Sequence, residues 1–199
     1  MKRTFLELVF IGIRFLLGFV FFTAGVGKLT EGDFFPIAFF PMSLEKILEP
    51  YGLGLWGRFV AWSQVGIGLL LFSQRFATIG AIMSLPLVAN IFVVTVSLGW
   101  QGTPVVNGFF LALNLVLLAA DYHKIKFLFA DDAAPLRVMP LRRNYAKIDM
   151  LWLIGIAVCV AAAALHPFGR GLTFALTALG VILFLACAVW HYLATKRIY

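Results

Sequence analysis

Four polar side chains interrupt stretches that are otherwise built for hydrocarbon: Arg14, Gln64, Ser84 and Asn114. A polar group in a bilayer core is costly, so each of them needs a partner or a task. An arginine among two amides and a hydroxyl supplies donors but no nucleophile and no general base. Such a set either clamps neighbouring helices together or holds a polar head, such as a quinone carbonyl or a lipid phosphate. Helical rise puts Gln64 and Ser84 about 12 Å, Asn114 about 10 Å and Arg14 about 14 Å from one membrane face, so the four are expected at a common depth. The set contains no carboxylate. Glu7 and Asp121 lie closer to that face, and a contact with Arg14 requires its long side chain to snorkel towards them.

A second charged group is expected near the opposite face. Lys28 and Arg58 stand close to Glu31 and Asp33 in a natural ion-pair network that would anchor an outer loop to the helices. The functional alternative for these cations is an anion-binding mouth.

No catalytic residue is expected. There is no nucleophile–base pair, no carboxylate pair and no phosphate-cradling loop. Gly25-Val-Gly27-Lys28 closes a membrane helix instead of linking a strand to a helix. His123, His166 and His191 fall on both faces of the membrane, so no metal site is expected from them. Cys159 and Cys187 differ by about 15 Å in depth, whereas disulfide Cα atoms lie within about 7 Å. Both read as small buried apolar groups.

These residues are positioned by a strongly apolar chain. Of its 199 residues 62% are hydrophobic and 13% charged, and the mean hydropathy is +0.98. A soluble domain carries about twice that charged fraction. The net charge of +7 gathers at helix ends and in one loop, without the interleaved basic and aromatic patch of a nucleic-acid binder. The fold class is therefore an all-α membrane protein. A membrane helix needs about 20 apolar residues. Six stretches are expected to span: Phe5–Lys28, Leu53–Phe72, Phe76–Leu98, Pro104–Asp121, Met150–Leu165 and Gly171–Leu193.

Charge placement gives an orientation. With the N-terminus inside, the inner side holds Lys2, Arg3, Arg75, Lys124, Lys126, Arg137, Arg142, Arg143, Lys147, Lys196 and Arg197. The outer side holds Lys28, Lys46, Arg58 and Arg170. Eleven cations against four favour both termini in the cytoplasm, as an even number of spans requires. Trp56, Trp62, Trp100 and Tyr51 then fall at or near the outer interface as an aromatic belt.

The chain divides into a four-helix bundle over residues 1–128, a cytoplasmic connector over 129–149 and a two-helix extension over 150–199. Within the first part, residues 29–52 form an outer loop in which Met42–Glu49 reads as a short interfacial helix, with Ser43 as its cap. On the first span, Glu7, Ile11, Arg14, Gly18, Phe21, Gly25 and Lys28 follow steps of four and three, which puts them on one stripe. Gly57, Ala61, Gln64 and Gly68 form a matching small-residue stripe on the second. Asn107, Asn114 and Asp121 share a face of the fourth, and Pro86 interrupts the third.

The pattern Arg14-x-x-x-Gly18-x-x-Phe21-x-x-x-Gly25-x-x-Lys28-Leu29 resembles the opening of the DoxX-like membrane proteins. The proline-bearing loop and three further spans extend the resemblance over about residues 5–128. The two last helices depart from the four-helix pattern of that family. The resemblance implies association with membrane-bound redox machinery of the bacterial cytoplasmic membrane, with Arg14 and Lys28 at the motif positions. The leading functional expectation is an accessory or structural subunit of a membrane complex, in contact with lipids and other membrane subunits and without nucleic acid. One alternative is a quinone-interacting oxidoreductase subunit, with quinone as its cofactor. The other is a small-molecule transporter or lipid-binding protein.

Overall fold

The computed structural model describes residues 2–29, 48–126, 145–165 and 170–196. Among the described residues it is all-helical. The helices are α1 (Lys2–Leu29), α2 (Gly54–Phe72), α3 (Ala77–Ser97), α4 (Thr103–Ala120), the short α5 (Tyr122–Ile125), α6 (Tyr145–Ala164) and α7 (Arg170–Lys196). A 3-10 turn, Glu49–Tyr51, precedes α2. Phe5–Leu29, Gly54–Phe72, Ala77–Ser97, Thr103–Ala120 and Gly171–Trp190 are five helices long and apolar enough to cross a membrane. The apolar stretch of α6, Asp149–Ala162, is shorter. The proposed amphipathic helix at 42–49 lies almost wholly outside the described residues, although Leu48 is buried in the core.

Short connections make α2, α3 and α4 antiparallel neighbours. Between α2 and α3, the Ser73 hydroxyl accepts the Phe76 N–H at 2.9 Å and donates to the Leu70 carbonyl at 2.6 Å. The turn thereby satisfies groups that the helix ends leave free. Between α3 and α4, Gly99 and Gly102 adopt φ of 67° and 82°, conformations costly for a residue with a Cβ. Pro104 then enters the first turn of α4, where its missing N–H removes nothing.

The two small-residue stripes are the contact between α1 and α2. A Cβ added at Gly25 would stand 2.6 Å from the Ala61 carbonyl oxygen and 2.8 Å from Val65. One added at Gly68 would stand 2.7 Å from the Phe22 nitrogen and 2.8 Å from the Gly18 carbonyl oxygen. The two backbones approach so closely because both positions lack a side chain. Gly57, Ala61, Gln64 and Gly68 are all buried, as one stripe requires.

α6 and α7 pair with each other and dock on α1 and α2. Phe72 and Phe184 are wholly buried and stack at 4.6 Å with an interplanar angle of 11°. Phe15 and Phe22 flank the Phe72 ring at 4.9 and 6.2 Å. The Trp152 indole donates to the Leu69 carbonyl at 2.9 Å. Arg75, beside the α2–α3 turn, pairs with Asp149 at the foot of α6. Cys159 and Cys187 are buried and are not joined in a disulfide, and Cys159 joins the cluster around Phe72 and Phe184.

Candidate ligand-binding site

Arg14 and Lys28, fourteen residues apart on α1, turn out to serve opposite ends of the bundle. Helical side chains lean towards the N-terminus of their own helix. Arg14 accordingly reaches back towards the end of the bundle that carries the N-terminus. There its Nη2 donates to Asp121 Oδ2 at 2.9 Å. Thr78 Oγ1 donates to the same carboxylate oxygen at 2.8 Å, and Lys124 Nζ donates to Oδ1 at 2.7 Å. The Asp121 side chain is 5% exposed, Arg14 14% and Lys124 50%. Burial pushes the Asp121 carboxyl upwards. The Lys124 hydrogen bond, the Arg14 charge and the Thr78 hydroxyl outweigh that effect and hold it below the usual 3.8. This knot joins α1, α3 and the start of α5 through one anion.

Of the four residues expected to meet at mid-depth, the structure brings two together. Ser84 and Asn114 are fully buried, and both donate to the Ala81 carbonyl at 3.0 Å, tying α3 to α4. Arg14 goes to Asp121 instead. The donor for Gln64 is Lys28, whose Nζ reaches Gln64 Oε1 at 2.9 Å. Depth along the axis matched, but side-chain lean separated the group. α2 runs opposite to α1, so Gln64 leans towards the far end of the bundle while Arg14 leans away from it.

Lys28 is the larger surprise. It does not serve as an outer anchor among the described residues; it folds back into the bundle, with its Nζ also 3.3 Å from the Ala24 carbonyl one turn earlier. Glu31 and Asp33, its expected partners, lie outside the described residues. Arg58 is exposed near the start of α2. The lean rule, applied to a lysine in the last turn of α1, is the signal in the sequence that foretells this inward turn.

Lys28 and Gln64 line a cavity of about 60 Å³ enclosed by α1, α2, α3 and α4 at the end away from the N-terminus. Phe21, Ala24, Trp56 and Trp100 are among its walls, and Asn107 and Thr95 add polar groups. Asn107 Nδ2 is buried and has no hydrogen-bond partner among the described residues. Thr95 spends its hydroxyl on the Phe92 carbonyl at 2.9 Å. Asn107, expected on the same face of α4 as Asn114 and Asp121, thus brings a buried amide to the cavity. An ammonium and an unmatched amide donor converging on a small, mostly apolar space can hold an acceptor group.

No family model, curated protein or solved structure matches this chain.

Proposed function

We propose that this chain is a multi-pass membrane protein that binds a small acceptor-bearing molecule, without transforming it, in the cavity among α1–α4. One observation carries the reading: Lys28 turns inward onto that cavity, where the buried Asn107 Nδ2 lacks a partner. A buried donor left unsatisfied costs about 1–3 kcal/mol, and a ligand acceptor removes that cost. The small-residue stripes of α1 and α2, which could also serve docking of a partner subunit, are used against each other within this chain. The reading moves the site from Arg14, whose guanidinium is engaged by Asp121, to Lys28. Both DoxX-like motif cations thus have assigned roles, one in the knot and one in the cavity.

Six spans with both termini in the cytoplasm form part of the same proposal. The 20 residues of α6 correspond to about 30 Å of helix, the thickness of a bilayer core. The eleven-to-four cation bias supports the orientation. The cavity then opens towards the outer leaflet.

The test is gentle purification followed by mass spectrometry of the intact protein and its extracted small molecules. Wild type is expected to carry a bound molecule that Ala24→Leu loses while keeping its helical content, since the larger side chain fills the cavity. Equal loading of the two proteins would overturn the assignment of the cavity.

A further inference from the structure

We infer that the cavity takes a small oxyanion, in the simplest case a carboxylate, held between the Lys28 ammonium and the Asn107 amide. This rests on the cavity's being the binding site and adds the charge and size of what enters it. The charge argument compares the two ends of the bundle. At the N-terminal end, two cations share Asp121. At the cavity, the lining among the described residues contains a lysine and no acidic residue. The two groups that accept from Lys28 are an amide oxygen and a backbone carbonyl, both neutral. Lys28 faces apolar walls that include Phe21, Trp56 and Trp100 and has no carboxylate partner among the described residues, so its charged form strongly attracts an anion in so poorly polarisable a place.

The donor count argues the same way. A carboxylate has two oxygens and accepts several hydrogen bonds. Lys28 supplies a charged donor and Asn107 a neutral one, so each oxygen can find its own partner. A single carbonyl would have to use both.

Size excludes bulkier occupants. The cavity measures about 60 Å³. That is room for a few waters and well under the ~150 Å³ of an engineered cavity that admits benzene. A carboxylate or a similar oxyanion group fits, whereas a substituted quinone ring requires the helices to part. The same chemistry is offered by a free anion or by the head of an amphiphile entering through the mouth.

Thermal unfolding of the full-length protein in maltoside micelles tests this, at constant ionic strength with chloride as the reference. The probes are acetate and octanoate, with acetamide and octanamide as neutral counterparts of the same shape. Either carboxylate is expected to raise Tm saturably while its amide does not. A response to acetate identifies a free anion, and a response to octanoate alone identifies an amphiphile head. Asn107→Asp places a carboxylate in the cavity at nearly constant shape. It is expected to raise Tm without ligand and to weaken carboxylate binding at least tenfold. Lys28→Gln keeps a donor but removes the charge, and is expected to abolish the preference for carboxylate over amide. Equal responses to carboxylates and amides would overturn the anion while leaving the cavity as a site. Loss of the copurified molecule in Ala24→Leu, with no carboxylate response in wild type, would do the same. An Asn107→Asp protein that binds carboxylate as wild type does would also sink the assignment.

Discussion

Removing the charge of Asp121 without changing its shape should expose how much of the fold depends on one anion. In Asp121→Asn the side chain still accepts from Thr78, but Arg14 keeps its positive charge and loses its counterion. Taking opposite charges about 4 Å apart at an effective dielectric of about 20, the Arg14–Asp121 attraction is about 4 kcal/mol. Lys124 is half-exposed, so its pair is screened by water and adds no more than about 1 kcal/mol. Some recovery follows from Arg14 snorkelling towards water. A loss of about 3 kcal/mol is expected, in the range for stripping one partner from a buried pair. The assay is reversible unfolding in mixed micelles at increasing SDS fraction, followed by tryptophan fluorescence. Arg14→Met combined with Asp121→Leu removes both charges and is expected to cost less than Asp121→Asn alone. A cost under about 1 kcal/mol for Asp121→Asn, the size of a surface pair, would refute the knot. So would additive single and double variants, which would show that the two side chains are not coupled.

Asp121 also sets an acid limit. Its folded pKa lies below the usual 3.8, so its contribution is fully present above that value and is lost as pH falls through the folded value. Stability of wild type should therefore drop below pH 3.8, and the same titration of Asp121→Asn should be flatter in that window. Gly25→Ala and Gly68→Ala push a methyl into backbone atoms at 2.6 and 2.7 Å. Each is expected to cost at least about 1–3 kcal/mol of overpacking, while Gly12→Ala, with nothing within 4 Å, should be neutral or slightly stabilising in the same SDS titration. Phe184→Ala removes a wholly buried ring stacked on Phe72. A loss of about 3–5 kcal/mol is expected, together with earlier proteolytic release of the α6–α7 pair; unchanged protease resistance would contradict its docking on α1 and α2.

The helices of this protein were legible because long apolar helices announce themselves in two simple ways. Long apolar runs give their positions, and steps of three and four give their contact stripes. The α1–α2 contact is an example: glycines at 18, 25 and 68 and the small residue at 61 fall where the backbones meet. Ser84 and Asn114 were likewise paired by depth, since short polar side chains act close to their own Cα. Helical lean gives the long side chains a direction, but tertiary structure decided which partner each one reaches. An arginine or lysine has several rotatable bonds and reaches more than a helical turn, so depth of the Cα does not name its partner. Arg14 bypasses Gln64 for Asp121, and Lys28 turns to Gln64 within the bundle. The seat of α6 and α7 was also undecided by pattern. Their apolar surfaces suit lipid, another protein or the bundle equally well, and the stack of Phe72 on Phe184 depends on shape, which periodicity does not carry.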